Sequence, residues 1–141
     1  MQFSIHDASK DVDRRLYRSM IGSLLCVTTS RPDVMQEVGQ VLRFEEAPKK
    51  SHIISIKRIL RYLKGTTKYG LLYPKGNNLT IQAFTYADWK RSIDDRKSTS
   101  GAAFYLGGCL VSWLSKKQTS ISLSTTEVEY IVVTTSCTQV F

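Results

Sequence analysis

Apolar residues recur every three or four positions through the first half of the chain, the spacing of one face of an α-helix. The first apolar stripe consists of Leu16, Met20, Leu24 and Val27. It predicts a helix over residues 14–29. Pro32 fits the first turn of a second helix over 32–44, because that turn does not need the N–H that proline lacks.

A third helix is predicted over residues 49–64, after the break at Ala47-Pro48. Its apolar stripe consists of Ile53, Ile56, Leu60 and Leu63. Positively charged side chains occupy the other side, namely Lys57, Arg58, Arg61 and Lys64. Gly65 is predicted to end this helix.

The second half of the chain changes to short runs of strand-forming residues separated by turn residues. The predicted strands are 69–73, 79–86, 101–106, 109–114 and 120–123. Gly107-Gly108 predicts a tight turn. Ser124 and Glu127 have the spacing of a capping box, which predicts a last helix from Thr125. The expected fold class is α+β, with three N-terminal helices, an antiparallel β-meander and a C-terminal helix.

Composition adds charge to this picture. The chain has 141 residues and a formal net charge of +8. Such a positive charge either attracts polyanionic partners or only makes the surface more soluble. Three widely spaced cysteines contain no CxxC pair, so neither a zinc site nor a disulfide framework is expected. No apolar run is long enough to span a membrane. The partly apolar run 16–27 is broken by polar residues, so no signal peptide is expected.

The stretch from Asp95 to Tyr130 reads DRKSTSGAAFYLGGCLVSWLSKKQTSISLSTTEVEY. It resembles the start of the ribonuclease H domain in Pol polyproteins of copia-type LTR retrotransposons. Two earlier segments, 17–34 and 51–73, resemble the thumb and connection region that closes the copia reverse transcriptase. The resemblance implies a tail at 1–13, reverse transcriptase-like helices at 14–66 and a truncated ribonuclease H-like domain at 67–141.

Ribonuclease H chemistry uses two divalent cations held by carboxylates. The resemblance implies a first ligand in a strand motif that reads Thr85-Tyr86-Ala87-Asp88-Trp89 here, with Tyr86 at the position of the first Asp. A neutral phenol is a poor ligand for Mg²⁺ at neutral pH. Asp88 lies about 6.6 Å further along the strand on the same face. It is either a weak ligand or an ordinary polar residue at a strand end.

The second ligand implied by the family corresponds to Glu129, in the sequence Val128-Glu129-Tyr130. A later Asp of the family would lie on a strand beyond residue 141. The resemblance therefore implies an incomplete ligand set, a lost Mg²⁺ site, no other cofactor and no catalysis. The absent strand is expected to leave an exposed sheet edge. No pair of polymerase aspartates is present, so DNA synthesis is not expected.

A competing motif lies in the third predicted helix. The residues Arg58, Ile59, Leu60 and Arg61 spell R-x-L-R, which resembles the translocation motif of secreted oomycete RxLR effectors. Such an effector would be secreted, enter the host plant cell cytoplasm or nucleus, bind unknown host proteins and suppress defence-related cell death. Short motifs of this kind also arise by chance. The alternative is an ordinary helix surface with Leu60 on the core side.

A third hypothesis is weak, non-specific binding of nucleic acid by an intracellular retroelement remnant. The candidate phosphate contacts are Lys57, Arg58, Arg61, Lys64 and Lys68, with Lys116 and Lys117 on the later strands. The alternative is a charged face that only contacts solvent.

Overall fold

The computed structural model describes residues 10–76, 79–88 and 97–140. Within this part, the chain forms two compact units, the first ending at Leu71 and the second beginning at Leu72. The four helices and the antiparallel sheet confirm the predicted α+β class. The assignment of the units to reverse transcriptase and ribonuclease H stays a prediction, as does the boundary at 66/67.

The first unit contains three α-helices and one short 3-10 helix. They are α1 (Arg14–Thr28), the 3-10 helix Pro32–Val34, α2 (Met35–Leu42) and α3 (Lys50–Gly65). Asp13 caps α1 by accepting a hydrogen bond from the Arg15 N–H at 2.9 Å. Gly65 is the last residue of α3, and Thr66 caps the helix through its N–H to the Leu63 carbonyl.

The core of the first unit lies where the three helices meet. Its buried apolar side chains include Tyr17, Ile21, Leu24, Val38, Val41 and Ile56. Of the predicted stripe of α1, Leu24 lies in the core and Met20 and Val27 pack against it. The exception is Leu16, which is 55% exposed, while its neighbour Tyr17 is fully buried. The reason is tertiary: the Tyr17 hydroxyl donates to the Val41 carbonyl at 2.6 Å, so the ring reaches across to α2. Burial of each large apolar side chain stabilises the unit by about 2 kcal/mol.

The second unit contains a three-stranded antiparallel sheet and one helix. The strands are β1 (Ile81–Asp88), β2 (Thr99–Leu106) and β3 (Cys109–Lys117), in the order β1-β2-β3. The predicted turn is confirmed, with Gly107 and Gly108 at φ angles of 58° and 80°. L side chains rarely adopt these values, which is why two glycines stand here.

Two predicted strands were wrong. Residues 69–73 and 120–123 contain no strand, since neither segment has a neighbouring ladder. In the first, the Tyr73 hydroxyl donates to the Leu110 carbonyl at 2.7 Å, a side-chain contact in place of strand pairing. In the second, the buried Ser122 hydroxyl bonds to the Gln118 side chain at 3.2 Å. A segment rich in β-forming residues does not become a strand when no neighbouring strand pairs with it.

The last helix, α4 (Thr125–Val140), packs against β1 and β2. It buries Val128, Val132 and Ser136, which recur every four residues along one stripe. The sheet positions beneath it are Ala102 and Phe104, both buried. We call this the covered face of the sheet. Throughout the described ranges, each helix is too short or too polar to cross a membrane.

Candidate functional site

The opposite surface of the sheet carries the first candidate ligands, and we call it the open face. Successive residues of a strand alternate between faces, so Tyr86 and Asp88 lie on the open face with Phe84. Tyr86 pairs with Gly101 and Asp88 with Thr99 across β2. Tyr86 is 66% exposed, while Asp88 is partly buried. Trp89, the last residue of the motif, lies outside the described residues.

Glu129 lies on α4, one residue after the buried Val128. Its side chain is exposed. Glu127, two residues earlier, has a structural role, since its carboxylate accepts from the Leu123 N–H at 2.7 Å. Ser124 in turn accepts from the Glu127 N–H at 3.2 Å. The predicted capping interaction is therefore confirmed, with the carboxylate reaching one residue further back than in the standard capping box.

A buried polar network holds α4 to the sheet, and no pattern in the sequence indicates it. The Gln118 side-chain amide donates to the Ser100 hydroxyl at 2.9 Å and to the Val128 carbonyl at 3.5 Å. Its oxygen accepts from Ser122. This glutamine therefore fixes the position of the helix turn that carries Glu129. A single glutamine in a polar segment has no periodic signal by which its burial could be predicted.

The candidate carboxylates do not belong to a larger cluster of metal-ligating side chains in the described part of the chain. Helix α4, which carries Glu129, packs against β1 on the covered face, whereas Tyr86 and Asp88 lie on the open face. Residues 10–76, 79–88 and 97–140 contain no group of three His, Cys, Asp or Glu side chains placed to hold a metal ion.

The basic candidates lie on α3 and just after it. Lys57, Arg61, Lys64 and Lys68 all have exposed side chains. Helix α3 contains no Asp or Glu, so none of its own residues neutralises this charge. Lys64 also lies in the last turn, where the negative end of the helix dipole favours a cation. The described structure places Lys116 and Lys117 elsewhere, on β3 of the second unit.

Arg58 differs from the other cations of α3. It lines a groove together with Asp33, Glu37, Ile59 and Tyr62. Two carboxylates in the same groove reduce the positive potential around its guanidinium. Arg58 is therefore expected to contribute less to phosphate binding than Lys57 or Arg61.

The R-x-L-R motif has a different orientation from the one predicted. Ile59 is the buried residue, at 7% exposure, and Leu60 is 45% exposed. The prediction that Leu60 faces the core was wrong, because the helix packs through His52, Ser55, Ile56 and Ile59, a stripe turned by one residue. Three of the four motif residues, Arg58, Leu60 and Arg61, are therefore accessible to a partner.

A second polar network joins the start of the 3-10 helix to the end of α3. Arg31 donates to Asp33 at 2.7 Å and to the Thr66 hydroxyl at 2.8 Å. The Tyr62 hydroxyl also donates to Asp33, at 2.8 Å. The hydrogen bond from Arg31 holds the pKa of Asp33 below its ordinary value. Arg31 is thus engaged within the unit, and it does not extend the basic surface of α3.

Comparison with curated proteins identifies relatives over most of the chain. The Retrovirus-related Pol polyprotein from transposon RE1 of Arabidopsis thaliana is 40% identical over 129 residues, 92% of this chain and 9% of that protein. The corresponding protein from transposon TNT 1-94 of Nicotiana tabacum is 44% identical over 119 residues, 84% of this chain and 9% of that protein. This chain belongs to the copia-type retrotransposon Pol family.

The chain thus spans about a tenth of the length of these Pol relatives. Another member of the same set of relatives has a different name, Secreted RxLR effector protein 161 of Plasmopara viticola. It is 38% identical over 118 residues, which are 83% of this chain and 83% of that protein. No protein-family model matches the chain, and no solved structure matches it significantly.

Proposed function

We propose that this Pol-derived chain is a catalytically inactive retroelement remnant that binds nucleic-acid duplexes weakly and without sequence preference. The main support for the binding proposal is the exposed face of α3, where Lys57, Arg61 and Lys64 stand on a helix without any carboxylate. Such a face matches the regular negative charge of a phosphate backbone. Contacts made only to phosphates carry no sequence information, which is why the proposed binding has no sequence preference.

The inactivity proposal is supported by the open face of the sheet. Tyr86 stands where the family resemblance implies the first carboxylate, and no group of three possible metal ligands occurs among the described residues. Without a pair of divalent cations, there is no group to activate water and no group to stabilise the leaving oxygen. Binding to a hybrid would therefore not lead to cleavage.

The salt dependence of duplex binding tests the role of α3. We expect log K to fall linearly with log salt, and the combined change of Lys57, Arg58, Arg61 and Lys64 to Gln should flatten the slope by about 0.9 for each phosphate that is no longer neutralised. Within this set, Arg58→Gln alone should change the slope less than Arg61→Gln. Fluorescence anisotropy with a labelled duplex at several salt concentrations measures both.

The matched control removes the same number of exposed cations elsewhere, at Lys10, Arg14, Arg15 and Lys75. It lowers the net charge equally but leaves α3 intact. An equal flattening in both variants would show that only the net charge matters. An unchanged slope in the α3 variant would locate the phosphate-binding residues on another surface.

A second candidate function is that of an RxLR-type effector acting inside a plant cell to suppress defence-related cell death. It is favoured by the relative of that name, which matches over 83% of both chains, and by the exposure of Arg58, Leu60 and Arg61. On this hypothesis the Pol fold is inherited and the activity is new.

Direct expression of the chain in plant cells tests this candidate, since it bypasses delivery. The effector hypothesis predicts reduced cell death after a defence trigger, and it predicts the same reduction with Arg58→Ala and Arg61→Ala combined, because that motif would serve only delivery. These exposed changes should alter the free energy of unfolding by less than about 0.5 kcal/mol. Unaltered cell death with the intact chain would remove the support for the effector.

A further inference from the structure

The outer edge of β1 offers a surface on which another strand can pair. In the order β1-β2-β3, β1 is an edge strand, and no strand of the described residues covers its outer side. It pairs with β2 over all eight residues, Ile81 to Asp88, without a bulge. Ile81, Phe84 and Tyr86 are each at least 60% exposed. An edge of this kind is a template for a further strand.

Within the described ranges, the β3 edge of the sheet carries features that discourage further pairing, and the β1 edge carries none of them. Strand β3 ends in Lys116 and Lys117, and its register with β2 shifts between Phe104 and Tyr105. Lysines and bulges both discourage pairing with another chain. By contrast, β1 has no charged residue and no proline between Ile81 and Ala87. Additional pairing is therefore favoured at β1 alone.

The sequence of β1 is self-complementary when it is read in opposite directions from Thr85. The residues on the two sides of Thr85 correspond to each other: aromatic rings at Phe84 and Tyr86, and alanines at Ala83 and Ala87. In an antiparallel pair centred on Thr85, Phe84 faces Tyr86 of the second copy. Gln82 then faces Asp88 of the second copy, which keeps the two carboxylates apart and gives each an amide partner. A closed two-fold interface requires this self-complementarity.

We propose that two copies of this chain associate through β1, in an antiparallel pair centred on Thr85, so that two three-stranded sheets become one six-stranded sheet. Helix α4 leaves room for this arrangement, since Ile81 and Thr85 stay exposed although they lie on the covered face. On the open face, each Phe84 already packs edge-to-face on Tyr105, with ring centroids 5.6 Å apart. The paired strands would extend this packing into a continuous row of aromatic rings.

Light scattering coupled to size-exclusion chromatography over a range of protein concentrations tests the association. The unchanged chain should become a dimer as its concentration rises. Phe84→Lys combined with Tyr86→Lys should be monomeric, because it places cations opposite cations. Phe84→Lys combined with Tyr86→Glu should dimerise again, because each introduced cation faces an introduced anion of the second copy. Both variants remove the ring that packs on Tyr105, so they differ only in the charge at position 86.

The control variant is Leu123→Lys, which adds a lysine at an exposed apolar position outside the sheet and should remain dimeric. Circular dichroism spectra like that of the unchanged chain show that each variant is folded. A chain that is monomeric at every concentration overturns the proposal, as does a dimer that survives the two lysines. A Lys/Glu variant that stays monomeric overturns the register centred on Thr85.

Disulfide trapping tests the register independently. The three native cysteines, Cys26, Cys109 and Cys137, are first replaced by Ser. With Thr85→Cys, the two Cα atoms of the dimer should lie about 5 Å apart, within disulfide range, and oxidation should link the copies. With Ala83→Cys they should lie about 14 Å apart, and no link should form. Linkage at position 83 without linkage at 85 would overturn the proposed register.

Discussion

At the scale of single residues, two buried side chains of the first unit link elements that the sequence pattern treats separately. Tyr17 of α1 donates to the Val41 carbonyl of α2. His52 of α3 stacks on Phe44 with ring centroids 4.1 Å apart, and its Nδ1 accepts from the Lys49 N–H at 3.0 Å. Both residues carry polar groups, so hydrophobic periodicity does not reveal them. They determine which side of α1 and of α3 faces the core.

Burial, reinforced by the nearby Glu45 carboxylate, raises the pKa of Tyr17 to about 12 from its ordinary value near 10. The folded state therefore favours the protonated phenol. This stabilisation is fully present below pH 10, and it is lost as the pH rises from 10 through about 12. The total loss is about 3 kcal/mol.

Tyr17→Phe should reveal this linkage. At neutral pH the variant should be less stable by about 1 kcal/mol, the contribution of one hydrogen bond, since the Val41 carbonyl still accepts from the Phe44 N–H. Between pH 10 and 12 the difference should shrink and then reverse, because phenylalanine does not ionise. Urea unfolding at several pH values, followed by circular dichroism, measures both free energies. A difference that stays constant with pH would contradict the assigned pKa.

At the scale of elements, the local signals at the ends of helices and turns determined where elements start. Thr125 begins α4 after the Ser124 and Glu127 cap, and the two glycines after β2 form the turn into β3. These signals act through nearby backbone groups, so they are readable without the fold. Strand pairing needs a distant partner, which is why the segment 120–123 was predicted wrongly.

Ser124→Ala should destabilise the second unit by about 1 kcal/mol, since the Glu127 N–H loses its acceptor at the start of α4. Thr126→Ala, at an exposed position in the same turn, is the matched control and should change stability by less than about 0.5 kcal/mol. Amide hydrogen exchange in the first turn of α4 reports the change locally. Equal protection in both variants would show that the cap contributes nothing.

At the scale of the whole molecule, two features bear on function, and they lie in different units. The first unit carries the basic face of α3, and the second carries the sheet with Tyr86, Asp88 and Glu129. Membership of the copia-type Pol family explains why both occur in one chain. The proposed remnant keeps a basic surface while lacking a complete set of metal ligands.

We expect no cleavage of the RNA strand of an RNA–DNA hybrid by the full chain with Mg²⁺ or Mn²⁺. Tyr86→Asp should also be inactive, because the added carboxylate would lie on the open face, whereas Glu129 lies on α4, which packs on the covered face. A labelled hybrid resolved on a denaturing gel measures cleavage, and an active ribonuclease H digested in parallel shows that the substrate is competent. Metal-dependent cleavage that disappears in Glu129→Gln would refute the proposed inactivity.

The linear chain was enough to predict the fold class, four helices with their approximate bounds, the glycine turn, the cap of α4 and the family. These features rest on local backbone chemistry, on helical periodicity or on motif order, all of which are present before the chain folds. The sequence also supplied Tyr86 and Glu129 as candidate positions, although their roles stay predictions.

The buried stripes of α1 and α3, by contrast, differ in part from the predicted stripes. Tyr17 and Ile59 are buried, whereas Leu16 and Leu60 of the predicted stripes are exposed. Core packing depends on side-chain shape and on hydrogen-bond partners distant in sequence, as well as on apolarity. The fold also buries Gln118 beneath α4 and places Arg58 in a groove with two carboxylates. Each of these features depends on residues far apart in sequence meeting in space, which no local pattern records.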